Sequence, residues 1–262
     1  MENTVLSHYA SINAEFLHGA GMAGTEQLFS YLPIHDHQNV LEIGFGTGAS
    51  LVRLKGRFPD LEVCGIEASE LMLQKAKKRF RWSGLSPTHL KVKGVPPYPF
   101  EHDSFDIIYI ESVLAILSLE KIDAILTEIF RLLKPGGHFG LNETIWLPEI
   151  SSAEISRIND ACFRKYGIIQ SNEELEDANS WASTIESKGF KQLITEPVVP
   201  KAWNKKTSWV EKRSRLFTLF GKINGKISAK HRKVEQEIMD FQNSLFEPGK
   251  AYMTGHIFVY TK

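Results

Sequence analysis

Cysteine is scarce in this chain of 262 residues: there are two, Cys64 and Cys162. A pair so far apart gives neither a metal-ligand spacing nor a disulfide framework, which excludes a metal-knit or disulfide-stapled scaffold. Cys64 lies inside an apolar run and reads as a packing residue, not a nucleophile. Long apolar runs are missing too. Without a stretch of about 18 uncharged apolar residues, the pattern excludes a transmembrane helix. The opening residues, Met-Glu-Asn-Thr-Val-Leu-Ser-His-Tyr, have neither the basic nor the apolar region of a signal peptide, and the cytoplasm is the expected location. Net charge is also lacking, with 31 Lys and Arg against 31 Asp and Glu. A generally basic, polyanion-binding protein is thereby excluded. The balance is uneven, because residues 201–233 hold eleven basic side chains and one acid, Glu211.

Hydrophobic residues make up 42% of the sequence, enough for one large α/β domain or a core with a cap. The chain is organised around Val40 to Ala49, Val-Leu-Glu-Ile-Gly-Phe-Gly-Thr-Gly-Ala. Apolar residues followed by close glycines predict a buried parallel strand, a tight turn and a helix. Gly44, Gly46 and Gly48 let backbone approach a nucleotide-type cofactor at the carboxyl end of the first strand. Two cofactors fit this loop. Gly44, Gly46 and Ala49 satisfy the dinucleotide fingerprint, with Glu67 at the distance of a ribose-binding acid. Glu42 argues the other way, since a carboxylate beneath the loop suits a ligand with a cationic end better than a pyrophosphate.

The acid followed by Gly-x-Gly-x-Gly resembles motif I of the class I S-adenosylmethionine-dependent methyltransferases, and further features down the chain are similar to that family. Ser104-Phe105-Asp106 before the apolar run Ile107 to Ile110 is close to its Phe-Asp signature, and Leu133-Lys134-Pro135-Gly136-Gly137 matches its turn into the fifth strand. The resemblance covers residues 40–145 and is nearest to small-molecule methyltransferases of the ubiquinone and menaquinone type. It implies a doubly wound, seven-stranded, Rossmann-like α/β sheet whose last strand inserts antiparallel. It also implies S-adenosylmethionine as cofactor, S-adenosylhomocysteine as product and a small-molecule acceptor of a methyl group on O, N, S or C.

By the same resemblance, Glu42, Gly44, Phe45, Gly46 and Gly48 form the cofactor loop. Glu67 takes the ribose hydroxyls, Ala68 and Met72 pack on adenine, and Glu111 lies beside the methionine part. Many relatives place an Asp after the third strand, where this chain has Gly94, so adenine recognition is assigned to backbone around Val95. Pro96-Pro97-Tyr98 lacks the leading Asn or Asp of the nucleic-acid amino-methyltransferase loop and precedes the fourth strand. It reads as a stiff connection, and a nucleic-acid substrate is not expected.

The flanks carry the expected cap. Residues 1–37 are read as a helical lid, with Tyr9 facing the sulfonium and a hinge at His18, Gly19 and Gly24. Residues 38–200 and 251–262 form the methyltransferase core. Residues 201–250 form a helical insertion that builds the cap together with residues 151–166. Trp203, Trp209, Phe217 and Phe220 sit among basic residues there, and the reading adopted is an amphipathic helix pair with aromatics inward and lysines outward. The Lys75, Lys77, Lys78, Arg79 and Arg81 cluster is taken as the wet face of its helix. Ser69, Ser118 and Ser171 are expected N-caps, and His18, His138 and Glu143 are positional candidates for a base. Two other readings stay open: a binding or regulatory protein of the same fold without turnover, and an NAD-dependent dehydrogenase.

Overall fold

The computed structural model describes residues 4–16, 21–86, 89–199 and 207–262. His18, Gly19 and Trp203, singled out above, lie outside them. The chain enters through α1 (Thr4–Ser11) and α2 (Gly21–Tyr31) and then alternates through β1 (Asn39–Ile43), α3 (Ala49–Arg57), β2 (Glu62–Glu67), α4 (Glu70–Trp82), β3 (Leu90–Val92) and β4 (Phe105–Glu111). It continues as α5 (Leu119–Leu132), β5 (Leu133–Trp146), α6 (Ser152–Tyr166), α7 (Ala178–Glu186), β6 (Lys191–Pro197), α8 (Trp209–Ile227), α9 (Ala229–Leu245) and β7 (Met253–Thr261).

Among the described residues the seven strands form one sheet in the order β3-β2-β1-β4-β5-β7-β6. β1 to β5 run parallel, and β7 is antiparallel to both β5 and β6. The order reverses between β1 and β4, so their connections leave in opposite directions and a crevice opens at the carboxyl ends. Strand alternation splits the core. Ile108 and Ile110 face Ile122, Leu126 and Trp181, whereas Ile107 and Tyr109 face Leu28, Leu51 and Phe80. No described helix is long and apolar enough to cross a membrane.

The two most recognisable sequence signatures hold the sheet together away from the crevice. Asp106 accepts the Asn39 backbone N–H at 2.8 Å and the Lys134 Nζ at 2.8 Å, clipping the amino-terminal ends of β1, β4 and β5. Ser69 caps α4 by accepting the Met72 N–H. Ser118 precedes α5 without a side-chain cap bond. Ser171 does not start a helix: its hydroxyl donates to the Thr144 carbonyl, and Asn172 accepts the Glu174 and Leu175 N–H groups in a local turn. That turn competes with helix formation, and α7 begins only at the capping box of Asp177 and Ser180.

Arg79 overturns the wet-face reading of α4, being fully buried. Its guanidinium donates to the Thr47 carbonyl at 2.9 Å, the Asn13 carbonyl at 2.9 Å, and the Ser214 and Thr218 hydroxyls at 2.9 Å each, and pairs with Glu15 at 3.0 Å. One side chain thus joins the glycine loop, the segment after α1, and α8.

The aromatics-inward reading of α8 is also overturned. Its buried positions are Glu211, Ser214, Thr218, Gly221 and Gly225, while Trp209 is 70% and Phe220 51% exposed. Close approach decides this: a Cβ at Gly221 would lie 2.2 Å from the Ile12 carbonyl oxygen and one at Gly225 2.7 Å from the Ile12 side chain. Only the small-residue face fits against that segment. Phe217 is half-buried, beneath Arg79 and beside Trp82.

Candidate active site

A cavity of about 280 Å3 occupies the crevice, near the lower end of small-molecule sites. Its wall includes Glu42, Gly44, Phe45, Gly46, Glu67, Ala68, Met72 and Glu111. Tyr9, Gly48 and Val95 are not in that wall. Tyr9 lies edge-on to His8, with ring centroids 5.7 Å apart, and among the described amino-terminal residues Leu6 and Phe16 reach the cavity. Gly48 starts α3 in the left-handed region, where a Cβ would sit 3.0 Å from that of Ala76, so it serves the approach of α3 to α4. Val95 points outward, 55% exposed, and the wall is formed instead by Lys93, Gly94 and Tyr98.

Each cavity carboxylate is built differently. Glu42, in β1, accepts the Ser50 hydroxyl at 2.6 Å and the Tyr109 hydroxyl at 2.9 Å. Burial and the neighbouring Glu111 charge push its pKa up to about 8, against those two bonds. Glu67, at the end of β2, accepts the Ser69 N–H on one oxygen and the Gly46 N–H on the other, at 2.9 and 2.8 Å. Burial raises its pKa and the N–H donors oppose the rise. Each oxygen keeps a second lone pair, the requirement for a vicinal diol. Glu111, at the end of β4, accepts the Thr25 hydroxyl at 2.8 Å and the Asn142 amide at 2.9 Å. The three strand ends thus bring three acids to one cavity.

The turn after β4 forms the opposite wall through Ser112, Val113, Ile116 and Leu117. Gly44, at φ +81°, leaves room for Val113, because a Cβ there would lie 2.2 Å from Val113 Cγ2. Glu143 holds this turn. Fully buried in β5, it accepts the N–H groups of Val113, Leu114 and Ala115 at 2.9, 2.8 and 3.3 Å. Burial pushes its pKa up to about 7, opposed by those donors. Its oxygens are committed to backbone, which removes it as a candidate base. His138 pairs in register with Ile107 at the amino-terminal end of β5, the far end of the strand from the cavity, and is removed as well. His18 lies outside the described residues.

Phe16, Tyr98 and Leu117 line the cavity but were not assigned to the site from the sequence. Tyr98 follows two prolines, a visible signal of a fixed turn; nothing local marks Phe16 or Leu117. The donor set fits S-adenosylmethionine: acids for a cationic end and a diol, and apolar side chains for a flat base.

Comparison with known proteins agrees with this geometry. A sequence model of the methyltransferase domain matches residues 40–137. Over these residues the chain is similar to the class I methyltransferases. It is 29% identical over 185 residues to an uncharacterized methyltransferase, YodH, of Bacillus subtilis, covering 70% of this chain and 73% of that one. It is 26% identical to the sterol 24-C-methyltransferase of Pneumocystis carinii, over 55% of this chain and 43% of the relative. Among solved structures, phosphoethanolamine N-methyltransferase 2 of Haemonchus contortus in complex with S-adenosyl-L-methionine superposes with a TM-score of 0.68 at 20% identity, covering 99% of this chain and 57% of that chain. The chain therefore spans less than two thirds of the length of the latter two.

Proposed function

We propose that this protein binds S-adenosylmethionine in the crevice and methylates a small molecule. The observation that carries the reading is the convergence of Glu42, Glu67 and Glu111 with the glycine loop on one cavity at the carboxyl ends of β1, β2 and β4. Bound there, the cofactor supplies a methyl group already activated on a sulfonium.

In this reading Glu67 accepts the ribose hydroxyls while anchoring the Gly46 N–H, and Glu42 and Glu111 face the cationic methionine end. Ala68, Met72 and the backbone around Gly94 and Val95 border the adenine. Phe16 and Leu6, rather than Tyr9, form the wall next to the acceptor, and α1, α6 and α9 serve as a cap that excludes water. Holding the acceptor in line at about 3 to 3.5 Å is then the main task of the protein. The relatives' names support a small acceptor: a sterol in one, phosphoethanolamine in another. A cytoplasmic location is supported by the two free thiols, which suit a reducing compartment. Gly94, where many relatives carry an acid, is the feature that favours the second reading, a cofactor-binding protein without turnover.

Calorimetric titration with S-adenosylmethionine, S-adenosylhomocysteine and NAD tests the assignment. Binding of the first two is expected, with Glu67→Ala weakening it by about ten- to a hundredfold, the range of a lost charge-assisted hydrogen bond. Preference for NAD, or indifference to Glu67→Ala, defeats the assignment. Methyl transfer to any acceptor in a screen separates enzyme from binding protein.

A further inference from the structure

The outer face of α8 is apolar and turned to solvent. At 3.6 residues per turn, Trp209, Leu216, Leu219, Phe220, Ile223 and Ile227 fall within an arc about 100° wide, and their exposures run from 43% to 74%. Trp82 of α4, 42% exposed, widens the stripe through a ring contact with Phe220 at 5.6 Å. Exposed Arg215, Lys222 and Lys226 run along one flank, and exposed Lys212 projects from within the arc near its amino-terminal end. The single acid of the helix, Glu211, is buried against Arg53 and Arg57, so the outward face carries charge of one sign only. A helix that buries serine, threonine and glycine and exposes leucine, isoleucine and tryptophan has its apolar side available for something outside the molecule.

We propose that α8 docks on the surface of an anionic lipid bilayer, lying in its plane with the apolar stripe among the upper acyl chains and the basic flank against the headgroups. Apolar residues with tryptophan on one side and lysine and arginine beside them are what an interfacial helix requires, and anionic lipid complements the positive flank. Two other occupants fit less well. In a symmetric pair of chains the like-charged flanks would be brought together. Single-stranded nucleic acid stacks on aromatic faces, and four of the six stripe residues are aliphatic. Docking also has a consequence for the cavity, since the buried face of α8 packs on the segment around Ile12 that leads to Phe16. That wall then lies about one helix diameter from the lipid.

Vesicle flotation of the full chain tests the proposal, using phosphatidylcholine vesicles with and without about one third phosphatidylglycerol. Flotation is expected only with the anionic vesicles, and it should weaken as salt is raised. The pair Phe220→Ser and Ile223→Ser is expected to reduce partitioning by about tenfold or more. The pair Lys222→Glu and Lys226→Glu should do so too. Both should leave the melting temperature and S-adenosylhomocysteine affinity unchanged, because these side chains touch neither the core nor the cavity. The proposal is overturned if the protein fails to float, or if flotation is indifferent to the apolar pair. A concentration-dependent dimer abolished by that pair, or oligonucleotide binding in place of lipid binding, overturns it equally.

Discussion

Glu42 has almost no contact with water, and its two hydroxyl partners only partly offset that burial. The native state therefore keeps a proton on this carboxyl up to about pH 8, whereas in the unfolded chain the proton leaves near pH 4.3. Between those values the folded protein binds more protons than the unfolded one, so stability falls as pH rises. Glu143, pushed up to about 7, acts with the same sign over the lower part of the window. The melting temperature of the ligand-free protein is expected to decline from about pH 5 to pH 8. Glu42→Gln should remove the decline above about pH 7, which scanning fluorimetry across pH will read; an unchanged slope would place the titration elsewhere.

Arg79 behaves in the opposite way, as a buried cation surrounded by backbone carbonyls, hydroxyls and the Glu15 carboxylate. Burial pushes its pKa down to about 10 while Glu15 raises it, and it stays charged at neutral pH. Arg79→Met should cost roughly 3 kcal/mol in urea unfolding, because the surrounding acceptors lose their donor inside the protein. Arg79→Lys should rescue little, since one ammonium does not reproduce a planar fork serving the glycine loop, the Asn13–Glu15 segment and α8 together.

At the scale of elements, α8 shows how a short-range pattern leaves an orientation open. Its sequence contains both an apolar and a small-residue stripe, and either is a plausible inner face by periodicity alone. The backbone of Ile12 selects the small one. Gly221→Val should therefore push α8 away from that segment, at a cost of about 1–3 kcal/mol as for other overpacked sites. It should also weaken S-adenosylhomocysteine binding, because the displaced segment carries Phe16 into the cavity. Chemical denaturation and calorimetry together check this; a loss of stability with unaltered affinity would separate α8 from the site. The strands and α3, α4 and α5 were legible because strand and helix periods and glycine or serine boundaries are local. Ser171 misled because a capping residue and a turn residue use the same side-chain chemistry, and the choice rests on Thr144 in β5.

For the whole molecule, the last strand is an internal one. β7 lies between β5 and β6, pairing with both, and its Ile257, Phe258, Val259 and Tyr260 are buried. A chain ending before Met253 would leave β6 unattached and both sheet faces open. It is expected to lack a cooperative thermal transition by circular dichroism, although the glycine loop lies some two hundred residues away in sequence.

The sequence by itself determined the glycine loop after β1, the acids at the ends of β1, β2 and β4, and the alternation that makes a doubly wound sheet. These follow from local geometry and from the handedness of parallel crossovers. Only the tertiary structure decided that Arg79 is buried, that Glu143 holds the Val113 turn, that Phe16 and not Tyr9 reaches the cavity, and that α8 turns its apolar side outward. Each of those outcomes depends on a partner brought close by folding from a distant part of the chain, and neither periodicity nor spacing carries information about such a partner.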